Sequence, residues 1–131
     1  MGRFMGWAQA RARPNMILKS MGRARERAAE YWGEEYYDSD IQVWQLGLPQ
    51  QLDQMYAMQG EEYRARIDAF AKDINDYATR HPEAIEEGMK RVLPVTAQDV
   101  LGHIMRIGSI SRLYLISGFG RIIRGVLQSG C

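Results

Sequence analysis

Residues 61–81, EEYRARIDAFAKDINDYATRH, carry the most regular hydrophobic pattern in the chain. Large apolar side chains recur at spacings of four, three, four and three residues, at Tyr63, Ile67, Phe70, Ile74 and Tyr77. That periodicity places them on one face of an α-helix packed against other helices. Two glutamates begin the segment, where the helix dipole favours negative charge, and a proline follows its end. The segment therefore predicts a helical scaffold.

Three further elements are predicted before this helix. Residues 15–37 are rich in helix formers and predict a first helix, which the Asp38-Ser39-Asp40 run ends. Residues 41–46, IQVWQL, have β-branched and aromatic character but no partner strand, so we expect an extended connector. A short helix, QQLDQMYAMQ, is expected to begin with Pro49 in its first turn and to stop at Gly60.

Two helices are predicted after the scaffold helix. The first, PEAIEEGMKRVL, has Ile85, Met89 and Val92 on one face. The second runs from 97 to 127 and opens with a capping box, in which Asp99 stands three residues after Thr96. Its amphipathic pattern sets Val100, Leu101 and other apolar residues opposite a stripe containing His103. The prediction is an all-α fold, a small bundle of four to five helices with a long amphipathic C-terminal helix.

Charge is distributed unevenly along a chain whose net charge is only +1. Residues 1–27 hold seven basic side chains and one acid, residues 28–100 hold six basic and fifteen acidic ones, and residues 101–131 hold four arginines. The layout predicts a basic, flexible N-terminal arm over 1–14, an acidic helical scaffold over 15–94 and an amphipathic basic C-terminal helix and tail over 95–131.

Location is predicted from what the sequence lacks. The basic N-terminal stretch is not followed by an apolar segment of signal-peptide length, and Cys131 has no second cysteine to pair with. Residues 100–127 are apolar but contain several arginines, which are costly inside a bilayer. We expect a cytoplasmic or virion-associated protein that is not secreted and has no ordinary transmembrane helix.

Motifs for catalysis and for cofactor binding are weak. Residues 112–121, RLYLISGFGR, lack the third glycine of a dinucleotide loop and the lysine of a P-loop. Neighbouring acids such as Glu61 and Glu62 point to different sides of a helix, and no serine has a histidine set beside it by a motif. The sequence therefore predicts a non-enzymatic protein with no cofactor, no metal and no small-molecule substrate.

Candidate contact residues lie in both basic ends. The predicted partner or anion contacts are Arg3, Trp7, Arg11, Arg13, Arg106, Arg121 and Arg124. The predicted apolar interface comprises Ile104, Ile107, Leu115, Phe119, Ile122 and Ile123. The apolar face of the C-terminal helix has three interpretations: a core face, a partner interface or an interfacial membrane surface.

These features favour a self-associating structural or adaptor subunit, of the kind found in phages or mobile elements. In this hypothesis the basic ends of one copy bind the acidic middle of the next, so the partner is a homo-oligomer or another protein. One alternative is a peripheral or membrane-penetrating protein that uses the C-terminal helix on anionic lipid. Another is nucleic-acid contact through the N-terminal arm alone, because the acidic middle disfavours a broad footprint.

Overall fold

The computed structural model describes the backbone of residues 2–108 and the side chains of residues 6–108. Three 3-10 segments, Glu34–Tyr36, Pro82–Ala84 and Glu87–Val92, connect the helices. The described residues contain no strand, which confirms the all-α prediction. The α-helices of this part are α1 (Gly2–Ala12), α2 (Pro14–Arg23), α3 (Ala28–Trp32), α4 (Tyr37–Leu46), α5 (Leu48–Met58), α6 (Glu61–Arg80) and α7 (residues 97–108). They outnumber the predicted four to five.

Helix α6 is the scaffold that its periodicity predicted. Ile67, Ile74 and Tyr77 are buried in the core, while Tyr63 lies at the exposed end of the same face. Helix α1 packs along α6 at close range, because a Cβ at Gly6 would lie only 2.8 Å from the backbone oxygen of Phe70. Any larger side chain at that position would push the two helices apart.

The prediction of a flexible N-terminal arm is wrong. Residues 2–12 form α1, and the Trp7 ring meets Tyr77 edge-on with ring centroids 5.3 Å apart. The guanidinium of Arg80 lies 5.3 Å from the centre of the Trp7 ring, and Ala10 is buried in the core. Burial of these apolar groups stabilises α1 against α6, a contribution that the count of basic residues does not reveal.

The predicted continuous helix over 15–37 is also wrong, because the chain turns after α2. Glu26 adopts a left-handed backbone conformation with φ of 63°, which no α-helix accommodates. Helix α3 then starts at Ala28, where both carboxylate oxygens of Asp40 accept hydrogen bonds of 2.8 Å from the amides of Ala28 and Ala29. A side chain twelve residues away in sequence thus caps α3.

Residues 41–46 are helical rather than extended. They lie in α4, where Val43 is fully buried and Trp44 is exposed. Helical packing of Val43 outweighs the strand propensity of this short run. The predicted helix with Pro49 in its first turn is confirmed as α5, whereas PEAIEEGMKRVL forms 3-10 segments that bury Ile85, Met89 and Val92 as expected.

One buried ion pair attaches the start of α7 to the turn after α2. Arg25 donates to both carboxylate oxygens of Asp99, from Nε at 2.8 Å and from Nη2 at 2.6 Å, and also donates to the backbone oxygen of Val92 at 2.7 Å. The hydrogen bond to Asp99 raises the pKa of Arg25 above its usual value. The predicted capping box is confirmed, since the amide of Asp99 donates to Oγ1 of Thr96 and the amide of Thr96 donates to Asp99.

The predicted apolar face of α7 is only partly correct. Val100 and Leu101 are buried, but Ile104 and Ile107 are 41% and 48% exposed, while Arg106 is buried at 7%. Gly102 decides this orientation, because a Cβ there would lie 3.1 Å from Leu52 and 3.3 Å from Ala24. Helix α7 therefore faces α2 and α5 with Gly102, and Arg106, one turn later, lies on the same side.

Residues 109–131 lie outside the described residues, and so do the predicted contacts Arg121, Arg124, Leu115, Phe119, Ile122 and Ile123. Across the described helices, none has the length and hydropathy needed to cross a bilayer.

Replacing Asp99 tests the role of the buried ion pair. We expect Asp99→Ala to lower the free energy of unfolding by about 3 kcal/mol, because it leaves the guanidinium of Arg25 without its anion and removes the cap of α7. Urea denaturation measures this loss. Glu30→Ala, which breaks the exposed pair with Arg27, is the matched control and should leave the midpoint unchanged. Equal losses in the two variants would contradict the assignment.

Candidate functional site

A cavity of about 360 Å³ lies between α1, α2 and α7. Its volume falls within the range of small-molecule sites in proteins. The lining residues combine an apolar wall with a few polar groups, which is typical of such sites. They are Gln9, Ala12, Arg13, Met16, Ile17, Ser20, His103 and Ile107.

The cavity exists because two helices meet at a sharp junction. Helix α1 ends at Ala12 and Pro14 begins α2, so the chain changes direction at Arg13. The start of α2 is held in place by Asn15, whose amide nitrogen donates to the backbone oxygen of Ala84 at 3.1 Å. The same side chain accepts a hydrogen bond of 2.8 Å from the amide of Glu86. These contacts fix the start of α2, which forms one wall of the cavity, against the segment after α6.

His103 supplies a polar group that lacks a partner within the described part of the chain. Its ring is half-buried, and Nδ1 is buried without a hydrogen bond among residues 6–108. Burial, and then the positive charge of Arg106, lower the pKa of His103 below its usual value. The imidazole is therefore neutral near pH 7, with one nitrogen as donor and the other as acceptor. It suits a hydrogen bond to a polar ligand.

Arg13 gives the cavity its charge. It is exposed, and its only described side-chain contact is a weak one of 3.9 Å from Nη1 to the sulfur of Met16. No acidic side chain among residues 6–108 forms an ion pair with it. The hydroxyl of Ser20 donates to the backbone oxygen of Met16 at 3.1 Å, so it is bound to its own helix. The exposed guanidinium of Arg13 makes the lining basic, which suits an anionic group better than a cationic one.

A second groove, of about 550 Å³, has the opposite charge. Glu26 and Asp40 lie beside the aromatic rings of Tyr37 and Trp44 there, and Trp44 is 64% exposed. Both oxygens of Asp40 already bind the amides that begin α3. The cavity between α1, α2 and α7 is therefore basic, whereas this groove is acidic.

Among the described residues, the cavity lining includes two of the predicted contact residues, Arg13 and Ile107. Trp7 is packed against α6, Arg11 is exposed, and Ile104 is exposed away from the cavity lining. Arg106 is buried beside the cavity, and the side chain of Arg3 lies outside the described residues.

The prediction missed Gln9, Met16, Ser20 and His103. One signal was available in the sequence. His103 and Ile107 are four residues apart, so a helix places them on one side whatever their hydropathy.

Comparison with known families gives one match, a family model described as Penicillin amidase, which covers residues 1–108 of the 131. This match overturns the prediction of a non-enzymatic protein and, with it, the structural-subunit, membrane and nucleic-acid hypotheses. The prediction failed because packed helices carry no local motif for hydrolysis, and their patterns resemble those of any helical interaction protein.

Acid titration tests the environment of His103. We expect the free energy of unfolding to fall as the pH drops below about 6.5, the ordinary pKa of histidine, because the unfolded chain then binds a proton that the folded chain resists. Above that pH both states are neutral and the contribution is zero. Denaturation between about pH 7 and 5, above the range where most carboxylates titrate, measures the slope.

The comparison needs two variants. His103→Gln should flatten the dependence in this window, while His81→Gln, on the exposed end of α6, should keep it. A slope that persists in His103→Gln would contradict the assignment.

Proposed function

The chain belongs to the penicillin amidase family, and from that premise we propose that the protein acts in the hydrolysis of an amide bond. In that reaction water adds to the carbonyl carbon, the carbon–nitrogen bond breaks and the amine leaves with a proton. The observation that carries the proposal is the family match over residues 1–108. It replaces the expectation that the protein has no small-molecule substrate.

We further propose that the cavity between α1, α2 and α7 binds the amide. A penicillin has a carboxylate, a side-chain amide and apolar groups. Arg13 complements the carboxylate, and a neutral His103 offers a hydrogen bond to a polar group. Met16, Ile17 and Ile107 provide the apolar wall. Each chemical part of such a ligand thus has a counterpart in the lining.

Charge selects this cavity over the larger groove beside α3 and α4. Glu26 and Asp40 line that groove, and they would repel a carboxylate. The aromatic rings of Tyr37 and Trp44 could stack on a ligand, but they would do so next to like charge. The smaller cavity is therefore the better site for an anionic amide.

Removing the charge of Arg13 tests the site. We expect Arg13→Gln to raise the KM for a penicillin about tenfold, since a hydrogen bond to a charged group contributes about 1.5 kcal/mol. Release of the primary amine measures hydrolysis, and calorimetric titration measures binding separately.

Trp44→Phe in the acidic groove is the control and should behave as the unaltered protein does. If the unaltered protein shows no amine release and no penicillin binding, the proposed function is contradicted. Equal KM values in the two variants would contradict only the location of the site.

A charge of the opposite sign in the cavity gives a second test. Ile107 is half-exposed, so Ile107→Asp should fold normally while it places a carboxylate opposite Arg13. We expect penicillin binding to weaken at least tenfold, because the new anion competes for Arg13 and repels the ligand.

Ile104→Asp, at a similarly exposed position outside the lining, should bind as the unaltered protein does. Calorimetry measures the affinities, and thermal unfolding verifies that both variants are folded. Equal affinities in the two variants would be inconsistent with a ligand in this cavity.

A further inference from the structure

Two arginines lie where α7 approaches the end of α2: Arg23 precedes Ala24, which a Cβ at Gly102 would meet at 3.3 Å, and Arg106 is one turn beyond Gly102. Arg23 is three residues beyond Ser20 on α2, and Arg106 is three residues beyond His103 on α7. Residues three apart share one side of a helix, so each arginine lies on the same side of its helix as a residue of the cavity lining. They are close enough for the charge of Arg23 to lower the pKa of Arg106.

Arg106 is the more buried of the two. Its side chain is 7% exposed, and its Nε is buried without a hydrogen-bond partner among the described residues. Gly102, one turn earlier, lets α7 approach Ala24 and Leu52 closely, which brings Arg106 against the end of α2. The burial of this guanidinium therefore follows from the packing of α7.

Arg23 has one hydrogen bond within the described chain. Its Nε donates to the hydroxyl oxygen of Ser39 at 3.0 Å, and Ser39 is itself buried in α4. The ion pairs found among residues 6–108 involve neither Arg23 nor Arg106. The nearby carboxylate of Asp40 is occupied by the amides that begin α3. Two positive charges thus lie together with no acid from this part of the chain.

An anion bound to Arg23 and Arg106 would neutralise their two positive charges. Burial lowers the pKa of Arg106, yet a guanidinium remains protonated in proteins. A buried lysine can become neutral by losing its proton, whereas Arg106 keeps its positive charge. Buried charges in folded proteins are paired with charges of the opposite sign. The hydroxyl of Ser39 accepts a hydrogen bond from Arg23, and its own proton is available to an acceptor.

We propose that Arg23, Arg106 and Ser39 form a binding site for an oxyanion, either a carboxylate or a phosphate. The planar guanidinium forks match the spacing of two oxygens on such a group, and the serine hydroxyl donates a further hydrogen bond. The three residues of this site come from α2, α4 and α7, and none of them lines the cavity that contains Arg13.

Thermal unfolding of the full chain tests the site, with sodium acetate or sodium phosphate as the probe and sodium chloride at equal ionic strength as the reference. We expect one of the two oxyanions to lower the unfolding equilibrium constant about 100-fold at a concentration 100 times its Kd. A response to acetate assigns the site to carboxylates, and a response to phosphate assigns it to phosphate groups. No stabilisation beyond chloride by either anion would overturn the proposal.

Variants of the proposed site test which residues produce the stabilisation by acetate or phosphate. Arg106→Met replaces the buried charge with an apolar side chain of similar length, so we expect it to fold and to lose the response to the anion. Ser39→Ala should bind the anion about tenfold more weakly, since it loses one hydrogen bond to a charged group. Arg66→Gln, which removes an exposed arginine of α6 that pairs with Glu62, is the control and should respond as the unaltered protein does.

A full response in Arg106→Met would overturn the proposal. Because the readout is stability and not amide hydrolysis, failure here leaves the proposed function untouched, and failure of that function leaves this site untouched.

Discussion

The ion pair between Arg25 and Asp99 fixes the position of α7 against the turn after α2. It joins the turn after α2 to the first turn of α7, and Arg25 also binds the backbone oxygens of Val92 and Pro94. With the hydroxyl of Tyr31, the guanidinium has five acceptors, which permits little movement of α7. The orientation of α7 in turn determines where His103 and Ile107 meet α2, so the cavity depends on a contact that lies outside it.

The same orientation explains the arginine pair. Packing of Gly102 against Leu52 and Ala24 requires α7 to present its next turn, with Arg106, to the end of α2. Burial of the guanidinium of Arg106 near Arg23 is unfavourable. The burial of Val100 and Leu101 on the same helix stabilises the fold and offsets this cost. Close helix packing thus brings two like charges near each other, and the proposed oxyanion reduces the repulsion between them.

Charge segregation along the chain acquires a different meaning in three dimensions. The basic first 27 residues and the basic stretch after residue 100 are distant in sequence, but α2 and α7 bring them together. Arg23 and Arg106 consequently lie at neighbouring parts of α2 and α7, Arg13 lines the cavity, and Glu26 and Asp40 line another groove. The predicted contact between these basic ends and the acidic middle of another copy stays a prediction.

Local patterns were sufficient to predict the all-α class, the packed face of α6, Pro49 in the first turn of α5 and the capping box of Thr96 and Asp99. Each of these depends on neighbours within one helical turn or on a regular period. Tertiary contacts alone decided that 41–46 is helical, that residues 2–12 pack on α6, and that α7 buries Arg106 while it exposes Ile107. Each of those outcomes depends on a partner distant in sequence, whose burial energy exceeds local propensity. The cavity belongs to the second group, since its lining comes from residues 9–20 and 103–107 and exists only once α7 is joined to α2.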